Sequence, residues 1–306
     1  MQAHGSAAVG TDRRMADLSP TRTDRYEIAD EFACARTAPR CPETPMLRSL
    51  RELIERRDLV YILTWREIKI RYKQSVMGML WAVLMPLVIV GSGFVVRYGF
   101  ARVSGAPLQT VDMLAVATKA APWAFFVAAM RFGTNSLITN SSLVTKVYMP
   151  RLAFPISAVL AQMLDFVVAS LVIACVLGVA QVGLSLEVLW VPLLVACLIL
   201  MVVGFAVVSS AAALFLRDVK YLVDVFLTFA IFFTPVFYDS SLFGKWAPVL
   251  LVNPISPLLE GISNTLVLHR PPSLPWVCYS FAFTALLTLG SLFLFTKLEP
   301  LFAESV

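Results

Sequence analysis

The chain is predicted to be an all-α integral membrane protein with six transmembrane helices, an N-terminal amphipathic interface helix and a re-entrant segment between spans five and six. Three observations predict this. Of 306 residues, 58% are hydrophobic and only 15% charged, whereas a soluble domain has ~45–50% apolar and ~25% charged residues. The mean hydropathy is +0.78. Val76–Val96 carries no charge, and at ~1.5 Å per residue it reaches ~31 Å, the thickness of a bilayer's hydrocarbon core. Finally, the basic segment 65–73 runs straight into that uncharged stretch, as expected of a surface helix that turns into the membrane.

The elements follow in chain order. Residues 1–46 have no apolar core, carry acids throughout and contain Pro20, Pro39, Pro42 and Pro45; they read as a disordered cytoplasmic tail rather than a signal peptide. Residues 47–75 are expected to form cytoplasmic amphipathic interface helices. Leu47, Leu50 and Ile54 repeat at helical spacing, and Asp58 is placed to cap the helix that follows. On that helix Arg66, Lys69 and Lys73 form a basic stripe beside Trp65, Ile68 and Tyr72, with Glu67 in register to pair with Arg71 at i+4.

Residues 76–306 hold the spans. Span one is Val76–Val96. Span two lies near 113–136, with Lys119 towards the outer surface and Arg131 inside the bundle. Span three, Phe154–Leu177, has one acid, Asp165, on a span adjacent to Arg131 and able to pair with it. Span four falls within Val188–Leu216, and span five, about Tyr221–Tyr238, starts after the charged turn 217–220. Pro248, Pro254 and Pro257 break the apolar stretch Trp246–Leu259, which suits a re-entrant hairpin shielded from lipid. Span six is about Ser273–Thr296.

Six spans put both termini on one side. The loops divide their basic residues evenly, and the crowd of Arg56, Arg57, Arg66, Lys69, Arg71 and Lys73 before span one places that side in the cytoplasm. The +5 net charge gathers beside the spans, so it implies anionic lipid and not nucleic acid. Cys34, Cys41, Cys175, Cys197 and Cys278 show no paired or metal-like spacing and are expected to be free thiols.

Four segments then carry a family resemblance: WREIKIRYKQSVMGMLWAVLMPL at 65–87, GTNSLITNSSLVTKVYMPRLAFP at 133–155, LRDV at 216–219, and TPVFY at 234–238 followed by NPISP at 253–257. In this order they resemble the permease subunits of polysaccharide and polyol-phosphate ABC exporters, from about Leu50 to the C-terminus. The resemblance implies a six-span permease domain over 76–306 that exports O-antigen, capsule or teichoic acid chains, lipid-linked, as a homodimer with two separate ATPase subunits. ATP and Mg would bind on the ATPase; no cofactor is expected on this chain, which lacks a GxxxxGK[ST] loop. The resemblance also implies a short coupling helix between spans two and three, here around Ser141–Tyr148.

Candidate ATPase-coupling residues are accordingly Arg66, Lys69, Lys73, Ser141, Lys146, Tyr148, Arg217 and Asp218. The basic stripe serves anionic lipid equally well, and Lys146 can be a simple topology determinant. The candidate substrate pathway is Trp123, Phe125, Phe126, Arg131, Phe229, Phe233, Phe237 and Tyr238. Aromatic faces stack on the C–H faces of sugar rings and let a polymer slide, although each ring alone reads equally as packing. Phe229, Phe233 and Phe237 fall at i, i+4 and i+8, one stripe if span five is a continuous helix. Lys119 departs from the family pattern before Pro122-Trp123. Two other classes fit less well. A membrane-embedded transferase acting on a lipid-linked sugar needs clustered acids or histidines, and the chain has only His4 and His269. A secondary transporter would show an inverted repeat between its halves.

Overall fold

A computed structural model describes residues 45–73, 80–104, 110–146, 149–183 and 185–302. Among them every regular element is helical: α1 (Pro45–Glu55), α2 (Arg57–Lys73), α3 (Leu80–Ser104), α4 (Thr110–Thr139), α5 (Ser141–Lys146), α6 (Ala153–Val179), α7 (Trp190–Phe215), α8 (Val219–Phe233), α9 (Ala247–Leu251), α10 (Ser256–Leu266) and α11 (Leu274–Leu298). Four described helical segments are long and apolar enough to cross a membrane: Thr110–Thr139, Ala153–Val179, Leu186–Phe215 and Leu274–Leu298. With 25 residues α3 matches them in length. At 15 residues α8 reaches only ~22 Å.

The short reach of α8 has a local cause. Proline disfavours helical backbone in the residue before it, and Thr234, which precedes Pro235, is extended at φ −115, ψ 130. The helix expected as span five therefore stops at Phe233, not Tyr238, and Phe237 lies beyond the helix instead of on its stripe. Asp58 likewise sits inside the first turn of α2 and not at its cap.

The bundle is built around α4, which packs on α6 and α7, while α11 lies against the other side of α7. Gly133 sets the closest approach: a Cβ there would come within 2.6 Å of the Ala206 Cβ on α7. One residue on, Thr134 Oγ1 donates to Ser209 Oγ at 2.9 Å. In lipid, where apolar burial gives no net drive between helices, such small-residue contacts and interhelical hydrogen bonds supply the attraction. Trp123, Phe126, Leu194, Met201, Val236 and Leu258 belong to the resulting core. Most of α10 is also inside it; Ser256, Leu258, Leu259 and Thr265 are fully buried.

Cys175, Cys197 and Cys278 are free, as expected. The N-terminal tail, with Cys34 and Cys41, lies outside the described residues.

Candidate functional site

At one end of the bundle, α1, α2, the α4–α6 link and the end of α11 share one apolar cluster. Leu63, Leu137, Leu152, Phe154, Ala211 and Phe302 are among its members. Arg151 closes it: its Nη1 donates to the Glu299 carbonyl at 2.7 Å, and its guanidinium lies 5.6 Å from the Phe302 ring centre. The α4–α6 link contains α5, which Ser141 opens and Lys146 closes; Tyr148 lies outside the described residues. Arg217 and Asp218 form an exposed turn, and the Asp218 carbonyl accepts from the Tyr221 and Leu222 amides to start α8.

The expected basic stripe on α2 divides. Lys69 and Lys73 are exposed, with the Lys69 ammonium 5.5 Å from the Trp65 ring centre. Arg66 turns inward instead and donates to Asn140 Oδ1, between α4 and α5. It also pairs with Glu67 at 3.0 Å. Glu67 is therefore not the partner of Arg71, whose Nη1 reaches Gln162 Oε1 and Asp165 Oδ2 on α6, both at 2.9 Å. The Arg71 guanidinium also covers the Phe132 ring at 4.3 Å, and the Tyr72 hydroxyl donates to the other Asp165 oxygen. Burial, reinforced by that carboxylate, pushes the Tyr72 pKa up to about 12, so the hydroxyl remains a donor.

The expected Arg131–Asp165 pair is thus not formed. Arg131 Nε pairs with Asp224 Oδ1 on α8 at 3.1 Å, and the two side chains are 47% and 48% exposed. Arg131 consequently lies on the surface of the single chain rather than inside it. The nearest competitor explains the difference: Arg71, from a helix outside the spans, already occupies Asp165.

From Asp224 onward α8 presents apolar and aromatic side chains outward, with Phe226, Phe229, Phe232 and Phe233 58–70% exposed. A cleft of about 520 Å³ opens on this face, lined by Phe126, Phe226, Phe229 and Phe233, with Thr234 and Asn253 at its rim. Asn253 Nδ2 donates to Thr234 Oγ1 at 2.9 Å, and Thr234 passes its own proton to the Ala230 carbonyl, so both polar groups are satisfied. Trp123 and Phe125 are core residues instead, 2% and 3% exposed. Trp123 stacks on Phe126 at 5.6 Å between ring centres and Phe125 meets Phe166 at 5.1 Å. Phe237 and Tyr238 are half-buried in the turn after α8, where the Tyr238 hydroxyl donates to the Phe232 carbonyl at 2.7 Å.

The opposite end is held by charge. Lys119, expected towards the outer side of the membrane, is completely buried within the chain. Its ammonium donates to Asp239 Oδ1 at 2.8 Å and to the Tyr238 carbonyl at 2.7 Å. Arg97 on α3 bridges Asp239 at 2.9 Å and Asp112 at 3.5 Å. Glu260 on α10 accepts from the Ser240 amide and hydroxyl at 2.7 and 2.9 Å. Gly93 completes the seat: a Cβ there would lie 2.4 Å from Val116 and 3.0 Å from the Phe237 ring. Sequence reasoning missed the roles of Arg97, Asp239 and Glu260, and of Asn140 and Gln162 beside α2. The available signal was Lys119 itself, since a cation within an apolar span demands an anion nearby.

A protein-family model for the ABC-2 type transporter matches residues 58–267. Two relatives from Klebsiella pneumoniae, both described as O-antigen export system permease protein RfbA, are 27% and 26% identical over 249 residues, covering 81% of this chain and 94% of theirs. A protein of the same description from Myxococcus xanthus is 27% identical over 269 residues, 85% of this chain and all of its own.

Proposed function

The chain belongs to the ABC-2 type transporter membrane family, and from that premise we propose that it is the transmembrane subunit of an exporter for a lipid-linked polysaccharide, driven by ATP and Mg on a separate ATPase subunit. Relatives described as O-antigen export permeases support the polysaccharide reading. In this reading α3, α4, α6, α7, α8 and α11 are the six spans, and the segment from Ser240 through α10 is re-entrant. Both termini face the cytoplasm of the bacterial inner membrane, and two copies of the chain assemble. The ATPase docks on Lys69, Lys73, α5 with Ser141 and Lys146, the following Tyr148, and the turn Arg217-Asp218.

One observation carries the pathway assignment: the half-exposed Arg131–Asp224 pair at the foot of the aromatic face of α8. A charge at the bilayer centre costs about 2.5–3.5 kcal/mol, so a face bearing both ions is better placed along an aqueous route than against lipid. Above the pair, Phe229 and Phe233, with Phe126 in the cleft behind them, offer stacking surfaces without charge-specific locks. Arg131 meets the anionic end of the carrier lipid. Trp123 and Phe125 hold the wall from behind, and Phe237 and Tyr238 fix the turn above it.

The test uses the permease–ATPase complex in vesicles, with cysteines placed at Phe229 and Phe233 in a background lacking the native cysteines. A small water-soluble thiol reagent should label both positions during turnover, and Phe229→Ala with Phe233→Ala should reduce export at least tenfold while ATP hydrolysis continues. Unlabelled cysteines in a complex that still exports would return the face to lipid.

A further inference from the structure

We propose that α2 is a transmission arm, taking up displacement of the α4–α5 junction through Arg66 and Asn140 and delivering it to α6 through Arg71, Tyr72 and Asp165. The proposal rests on the reading that a partner ATPase pushes on α5; it turns Arg66 from a docking residue into a link within the chain and adds Asn140, Arg71, Tyr72 and Asp165, which lie outside the predicted docking set.

Its two attachments differ in location and chemistry. The first is at Asn140, where α4 hands over to α5: Asn140 accepts from Arg66, and its Nδ2 donates to the Ser136 carbonyl at 2.9 Å. Any movement of α5 must therefore pass a residue already bonded to α2. The second attachment lies at Asp165, ~18 Å along α6 from Ala153 at ~1.5 Å per residue. There both carboxylate oxygens are taken by α2, one by Arg71 and one by Tyr72. Gln162, one turn earlier on α6, shares the same guanidinium. A guanidinium fork fixes orientation as well as distance, and its flat face is held by Phe132 of α4.

Between the attachments the arm is stiff. Arg66 and Arg71 stand within a continuous α-helix that ends at Lys73, and Leu63 anchors it in the apolar cluster it shares with α1 and the end of α11. A rigid rod fastened at two points to different helices moves both together. Here it connects α5, six residues long and able to do little alone, to the middle of a 27-residue helix. Asp165 also needs no other role to explain its place in an apolar span: its charge is compensated by the arm.

The experiment uses the whole permease–ATPase complex and reads export, ATP hydrolysis and recovery of the assembled complex. Asp165→Asn and Asn140→Ala, at the two ends of the arm, should each lower polymer exported per ATP hydrolysed at least tenfold, with hydrolysis and recovery within about twofold of wild type. Because the two contacts act in series, the double variant should be no worse than the more severe single one. The exchange Arg71→Asp with Asp165→Arg should restore a substantial part of the ratio. Tyr72→Phe, which removes one hydroxyl, should give a smaller loss in the same direction and decides the matter if Asp165→Asn fails to fold. An unchanged export-to-hydrolysis ratio, or losses of export that merely track loss of assembled complex, would overturn the arm. Failure of the wild-type complex to export any polymer would instead overturn the functional reading beneath it.

Discussion

The two ends of the bundle solve the same problem with opposite chemistry. At the end where α1 and α2 lie, they converge with α6, α7 and α11 on Leu137, Phe154, Phe295 and Phe302, with charged groups bonded around that apolar cluster. At the opposite end the turn after α8 is held by Lys119, Arg97 and Glu260. Apolar contacts tolerate small sliding with little change in energy, because dispersion is shared over many atoms. A buried ion pair does not, since separation leaves desolvated charge behind. Small sliding within the apolar cluster therefore costs less than the same sliding at the charged turn after α8.

That contrast can be broken in several ways. The largest effect is expected from Asp239→Lys, which would place a third cation between Lys119 and Arg97. Removing the partner of a buried charge destabilises by about 3–5 kcal/mol; Lys119 is fully buried while Asp239 is 38% exposed, and charge reversal should sharply lower the folded protein recovered from detergent. Adding Lys119→Asp should restore a measurable fraction; no rescue would mean that the two ends are held alike. Next, Phe302→Ala removes a fully buried ring that packs on Phe215 and Phe295. It should lower thermal stability by about 3 kcal/mol, and no second substitution of charge should repair it.

Between the ends, Gly133→Leu would drive a side chain into Ala206 at a cost of about 1–3 kcal/mol, read as a lowered melting temperature. The smallest effect is reserved for Arg51→Gln. Its pair with Glu55 is 65% and 60% exposed, and loss should stay within about 0.5 kcal/mol in a thermal unfolding experiment. A larger loss would mean that α1 is held by more than its apolar side.

Much of this architecture was legible because uncharged length is a strong signal. The expected spans three, four and six fall within a few residues of α6, α7 and α11. The charged and apolar residues interleaved over 65–73 announced an interface helix. What the sequence concealed was pairing. Arg131 and Asp165 sit at plausible depths on neighbouring helices, but depth along a helix says nothing about azimuth; the structure gives Arg131 to Asp224 and Asp165 to Arg71. The aromatic row failed for a different reason. Phe229, Phe233 and Phe237 have perfect spacing, yet Pro235 ends the helix before the third member arrives. Trp123 and Phe125 show a further limit, since an aromatic ring in a span looks the same in sequence whether it faces a route or the core.

The Lys119–Asp239 bond also sets an order of events during synthesis. The two residues are 120 positions apart, and at ~5–20 residues per second the ribosome needs roughly 6–24 s to make the second after the first. Throughout that interval α4 carries an ammonium with no carboxylate from the α8 turn to receive it. The helix at the centre of the finished bundle can therefore complete its contacts only after the turn that follows α8 has been made.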